Sequence, residues 1–283
     1  MPNPLSPDYL ASLPVDQAAG LRSLLSRSLL RILPVLSCDE DRTGGVVAGR
    51  LALALARNGR NVVLLDGTGA AAAAVGASGA RDLVDLLHGR ADFDAVAVAP
   101  ADGLRCLRAM QGLPELIAAG AANDEFFAGF LRLENPPDTL VMTLPYQGFA
   151  GSSWLPGGGE VLLLCPCGER GLTGAYAVIK RLVSETAIDA APDFRLLING
   201  ASGEREARVQ ARHLADTARR FLGVTASYAG NLPRNSLGQA LGVSASGGRH
   251  PDSDRTLARL AGESAMWRLT ECAAPDVSAA LTH

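Results

Sequence analysis

Short, continuous apolar runs alternate along most of this chain with segments of helical period, and that alternation constrains the fold more than any other feature. The run "RILPVLS" (31–37) passes through "SCDEDRTGG" (37–45), read as a loop, into the amphipathic "GVVAGRLALALARNG" (45–59) and then into "NVVLLDG" (61–67). Further apolar runs are "TLVMTLP", "EVLLLCP", "FRLLING" and "ASYAGNLP"; the helical segments between them are "RDLVDLLHG", "DEFFAGFLRL", "GAYAVIKRLVSET" and "EREARVQARHLADTARRFLG". Strands that are apolar throughout, not alternating, belong to a parallel sheet covered on both faces. Strand–helix alternation with right-handed crossovers predicts an α/β fold with a doubly wound, mostly parallel sheet and helices on both faces. Gly59 closes the first helix as a C-cap. Pro34 removes a ladder donor and is awkward in a central strand. "AAAAAVGASGA" (70–80) and "LPGGGE" (155–160) read as loops.

At 283 residues the chain suits one large domain, taken as 31–272. A net charge of -3 does not suggest a nucleic-acid footprint, and no nucleic-acid partner is expected. The cysteines, Cys38, Cys106, Cys165, Cys167 and Cys272, lack paired CxxC spacing and read as free thiols of a reducing cytosol. Cys165 and Cys167 flank a proline with no second ligand pair, so no metal is expected. His88, His213 and His250 are scattered and read as surface or packing residues. No catalytic residue is assigned, because no Ser/His/Asp or Cys/His constellation can be assembled from spacing. The opening residues lack a signal-peptide pattern, and no apolar run reaches the ~18 residues of a membrane span. A cytoplasmic protein is expected. "MWRLTE" (266–271) has apolar residues at helical spacing and reads as packing on the domain, so membrane contact is expected to be weak or indirect. Residues 273–283 read as a disordered tail.

Ahead of the domain, Pro2, Pro4, Pro7 and Pro14 make residues 1–14 a flexible arm. From Val15 the period becomes helical: Val15, Ala18, Leu21, Leu25 and Leu29 share one side, with Arg22, Ser26 and Arg27 on the other. Asp16 suits the positive end of this helix, 15–30. Farther on, "GASGER" (200–205) reads as a helix start capped by Ser202, with Glu204 and Glu206 in the first turn and Arg205 where a capping box needs Glu or Gln.

The order of elements resembles the MinD/ParA class of deviant P-loop ATPases, and within it the FlhG (FleN, YlxH) family of flagellar number regulators. The most specific piece is "DQAAGLR", Asp16 to Arg22, similar to the DQAxxLR motif that heads many members of that family. "LALALARNGRNVVLLD", "AYAVIKRL" and "FRLLINGASGEREARVQARHLADTARRFLGV" are similar to the family at corresponding points. The resemblance implies a partner-binding helix that engages and stimulates an FlhF-type GTPase. Asp16, Gln17, Ala18, Leu21, Arg22 and Leu25 are its contact residues, with the leucines as groove anchors. Gln17 is the residue placed to orient water in the partner's nucleotide pocket.

The family's phosphate loop reads roughly SGKGGVGKTN. Laid on "SCDEDRTGGV", it puts the signature lysine at Asp39, the phosphate-binding lysine at Gly44 and the magnesium-ligating threonine at Gly45. Such a loop works by aiming backbone N–H groups and a lysine at polyphosphate. Here Asp39, Glu40 and Asp41 bring negative charge instead, with Arg42 as partial compensation. Unit charges 4 Å apart repel by about 4 kcal/mol at an effective dielectric near 20, more than the ~1 kcal/mol of a helix dipole. The LLDAD motif becomes "LLDGT", keeping Asp66 and replacing the second acid by Thr68. The strand-end acid falls at Thr143. Asn199 matches the family's adenine-contacting asparagine.

The expectation is therefore an FlhG-like pseudo-ATPase with no cofactor, ATP and magnesium included. It is expected as a monomer or an ATP-independent dimer, brought to the pole or inner membrane by its partner. C-ring proteins or a flagellar transcription activator are further candidate partners. Two alternatives stay open: an active MinD/ParA-type ATPase with a divergent loop using Arg42, and a ParA-like scaffold for another surface organelle such as a pilus, type III secretion or cellulose export.

Overall fold

The computed structural model describes residues 29–38, 41–119, 123–144, 159–185, 191–233, 251–264 and 270–273. The first half runs β1 (Leu29–Ser37), α1 (Asp41–Arg57), β2 (Val62–Asp66), α2 (Ala70–Ala74), α3 (Leu83–Leu87), α4 (Phe93–Val96), β3 (Val98–Ala101) and β4 (Leu104–Arg108). The second runs α5 (Gly112–Ala118), α6 (Asn123–Leu131), β5 (Thr139–Thr143), β6 (Glu160–Pro166), α7 (Glu169–Glu185), β7 (Asp193–Asn199), α8 (Glu204–Leu222), β8 (Ala226–Leu232), α9 (Pro251–Glu263) and β9 (Thr270–Ala273). The strands form one sheet in the order β3-β4-β2-β5-β1-β6-β7-β8, with β9 added to β1. Pairing is parallel except for β3 on β4 and β9 on β1. This is the expected doubly wound architecture.

Each central strand is buried on both faces because its side chains feed two cores. Val63 and Leu65 join one core under α3 to α8; Val62 and Leu64 join the other under α1, α2 and α9. Fully burying one such side chain stabilises the fold by about 1.5–3 kcal/mol, which is why uninterrupted apolar runs were a reliable strand signal. Cys106 of β4 is among these residues, and burial pushes its thiol up to about 12. The folded chain therefore keeps a proton there that the unfolded chain releases, so this contribution to stability is complete below pH 9 and is lost as pH rises toward about 12. Alkylation at pH 8 should leave Cys106 unmodified until the protein is denatured, as mass spectrometry of native and unfolded samples would report.

Pro34 fits because β1 changes neighbours there. The Arg31 N–H donates toward β5, to Asp138 O, and the Cys38 N–H donates toward β6, to Leu164 O. Amides alternate along a strand, so even-numbered residues face the β6/β9 side. On that side β9 pairs with Leu29–Ile32 and β6 with Val35–Ser37. The missing N–H falls at the handover between them, where no ladder bond is lost.

Several expectations are corrected. Leu29 and Leu30, read as the end of the N-terminal helix, open β1. Ala70–Ala74 is a short helix and not loop. Thr270 and Glu271, read at helical spacing, and Ala273, read as the start of the tail, lie in β9. β4, missed in the sequence, carries two arginines; Arg105 lies 5.1 Å over the Phe93 ring and donates to Asn135 O. No helix among the described residues is long and apolar enough to cross a membrane.

Candidate functional site

In an open α/β sheet, ligands sit outside the carboxyl ends of the strands. Here that position lies beyond β1, β2 and β5, and the chain fills it with its own groups. β1 ends at Ser37 and α1 begins at Asp41, so only residues 38–40 connect them. The segment read as the loop "SCDEDRTGG" is for the most part helix: Arg42, Thr43, Gly44 and Gly45 all lie in α1, with Arg42 exposed.

The two glycines at the lysine and threonine positions are close-approach sites. A Cβ on Gly44 would lie 2.8 Å from Ser37 Cβ. One on Gly45 would lie 2.5 Å from Thr68 Oγ1 and 2.7 Å from Ala70 Cβ, and one turn on, a Cβ at Gly49 would lie 2.6 Å from Ala71 O. The absence of a side chain at Gly45 and Gly49 is what lets α2 lie against α1, and at Gly44 it lets α1 lie against the end of β1.

Asp66, at the end of β2, is wholly buried. Its Oδ1 accepts from the N–H and Oγ1 of Thr68, each at 2.9 Å, from the Gly69 N–H at 2.9 Å and from Thr143 Oγ1 at 3.1 Å. Its Oδ2 accepts from the Ala72 N–H at 2.7 Å. Thr143 Oγ1 in turn accepts from the Gly67 N–H at 3.2 Å. The carboxylate thus ties the β2–α2 turn to the end of β5, and Thr68 joins that network through both its amide and its hydroxyl.

Of the residues singled out in the sequence, Gly45, Asp66, Thr68 and Thr143 are brought together around this turn, while Gly44 lies against Ser37 at the end of β1. Asn199 is not among them: it ends β7, two strands from β1, where its carbonyl accepts from the Cys167 N–H at 2.7 Å. Asp39, Asp16, Gln17, Ala18, Leu21, Arg22 and Leu25 lie outside the described residues. The cap of α8 is corrected by one position. Gly203, not Ser202, is the N-cap, which makes Glu206 the third helical residue; its Oε2 accepts from the Ser202 N–H at 2.7 Å and Oγ at 2.6 Å. Among the described residues no group of three or more His, Cys, Asp or Glu stands ready for a metal ion.

A magnesium nucleotide held in the P-loop manner needs a run of free backbone N–H groups, a lysine, a hydroxyl ligand and an accessible carboxylate. These positions offer helical backbone from Asp41 to Gly45, two glycines with no room for a side chain, and a carboxylate already accepting from its own turn. The residues present do not fit a nucleotide held that way.

No model of a known protein family matches the sequence, and no curated protein sequence matches it. Solved structures do match in fold. Cobyrinic acid a,c-diamide synthase from Mycobacterium smegmatis, solved with an ATP analogue and magnesium, aligns with a TM-score of 0.59 at 20% identity, over 83% of this chain and 94% of that one. MinD from Pyrococcus horikoshii OT3, solved with Mg-ADP, aligns at 0.57 and 18% identity, over 83% and 96%. A ParA family ATPase from Chlorobium tepidum TLS aligns at 0.52 and 14%, over 86% and 95%. The chain has the fold of the MinD/ParA-type P-loop NTPases.

Proposed function

We propose that this is an FlhG-like pseudo-ATPase: a MinD/ParA-type fold that works without nucleotide and acts on an FlhF-type GTPase through residues 15–28, so regulating flagellar number or placement. The observation that carries the nucleotide-independent part is the Asp66 turn, whose buried carboxylate is taken up by Thr68, Gly69, Ala72 and Thr143. A ligand that cannot bind cannot shift a population, so the reading includes a monomer, or a dimer indifferent to ATP. The partner part is supported by "DQAAGLR" standing directly ahead of this fold. Catalysis then belongs to the partner, with Gln17 orienting water in its pocket.

The test is calorimetric titration with Mg-ATP and Mg-ADP beside an FlhF GTPase assay, using the full chain, a chain lacking residues 1–28, and Gln17→Ala. The expected result is no nucleotide binding, with stimulation that disappears on truncation and falls with Gln17→Ala. Saturable ATP binding that is lost in Arg42→Ala would establish the divergent ATPase instead. Equal GTPase rates with and without residues 1–28 would leave a scaffold for another surface organelle.

A further inference from the structure

On the sheet face opposite α1, an apolar groove of about 390 Å³ lies between α3, α4 and α6. Leu83, Leu86, Leu87, Phe93, Phe126 and Phe130 form its walls. The rings brace one another edge to face, Phe126 to Phe130 at 5.3 Å and Phe93 to Phe130 at 6.1 Å. Leu87 remains 37% exposed, one of few large apolar side chains that do. Leu83, Phe93 and Phe130 are buried while Leu86, Leu87 and Phe126 stay partly open, so the groove offers apolar walls to an incoming side chain.

Three observations select the occupant. The first is position: the chain joins the sheet at Leu29, itself 38% exposed, and α6, one wall of the groove, packs against β1 and β9. The second is length. Residues 15–28 span about 21 Å as a helix and at most about 50 Å fully extended, so the groove lies within reach. The third is complementarity. Glu125 and Arg132 are the charged side chains of the groove's lining, and residues 15–28 carry charges of both signs to meet them, Arg22 and Arg27 with Asp16. Their apolar side holds Leu21 and Leu25.

We infer that residues 15–28 dock in this groove of their own domain, with Leu21 and Leu25 as anchors. In its consequence the inference rests on the partner reading above, because the leucines buried in the groove are those assigned to the GTPase. Docking and partner binding then exclude one another. The apparent affinity for the partner falls in proportion to the fraction of chains with the segment free. The groove acts as a holster for the activating helix.

Limited trypsin digestion of the full chain, followed by mass spectrometry, reads docking directly at Arg22 and Arg27. Leu87→Glu charges the groove at an already exposed position; Leu25→Ser weakens the anchor without touching the domain. Val209→Glu, at a site 62% exposed on α8, is the control. Cleavage at both arginines should rise at least tenfold in Leu87→Glu and Leu25→Ser and stay at the wild-type rate in Val209→Glu. Equal rates in all four proteins would overturn docking. So would wild-type protection that grows with protein concentration, which would seat the segment in a second copy. An FlhF GTPase assay on the same proteins separates the two readings. Released arginines with no stimulation by any of the proteins support docking and overturn the partner role; stimulation with unaltered cleavage overturns docking alone.

Discussion

Replacing Asp66 by alanine should lower the stability of this protein by about 3–5 kcal/mol. The side chain is wholly buried and accepts from the N–H groups of Thr68, Gly69 and Ala72 and from the hydroxyls of Thr68 and Thr143. Each buried donor left without a partner costs about 1–3 kcal/mol, reduced where the turn can relax toward water. For a domain of this size, 1 kcal/mol moves the midpoint by about 2–4 °C, so thermal unfolding should shift down by roughly 10 °C. Asn at the same position keeps one acceptor and sets an NH₂ group against donors, so it should fall between wild type and alanine. A midpoint within about a degree of wild type would mean that the Asp66 turn does not hold this region together.

Placing the side chains of a P-loop at Gly44 and Gly45 should harm the protein without conferring nucleotide binding. Glycine inside a helix is normally about 0.5–1 kcal/mol worse than alanine, so Gly→Ala ordinarily stabilises. Gly262→Ala in α9, where an added Cβ meets nothing within 4 Å, should do so. Gly45→Ala should reverse the sign. Its Cβ would lie 2.5 Å from Thr68 Oγ1 and 2.7 Å from Ala70 Cβ, and overpacking of that kind costs about 1–3 kcal/mol. The pair Gly44→Lys and Gly45→Thr should be worse, because Gly44 is closed by Ser37 Cβ at 2.8 Å, and calorimetry should detect no Mg-ATP binding. A stable double variant that binds ATP would show that α2 moves aside readily and that only two side chains separate this chain from an ATPase.

The sheet and its two faces were legible in the sequence because burial on both sides of a parallel strand leaves an uninterrupted apolar run, as in "NVVLLDG" and "EVLLLCP". β4 was not legible, since Arg105 and Arg108 break the run while reaching partners that chain order does not reveal, Asn135 O and Gly79 O. Thr68, Thr143, Gly44 and Gly45 were found by alignment with positions where P-loop ATPases carry acids, lysine and a hydroxyl. What they do here was hidden. The donors to Asp66 come from β5 as well as from its own turn, and the contact of Gly45 with Thr68 depends on α2 lying against α1.

By itself, then, the sequence determined the fold class, the order of the elements and the acidic, lysine-free character of the segment after β1, because each follows from local period or from which residue occupies a given place. Only the tertiary structure decided that most of that segment is wound into α1, that α2 and the Asp66 turn lie against it, and that an apolar groove opens between α3, α4 and α6. Close approach, hydrogen-bond saturation and groove shape are properties of groups brought together from distant segments, and local sequence carries no record of those distances.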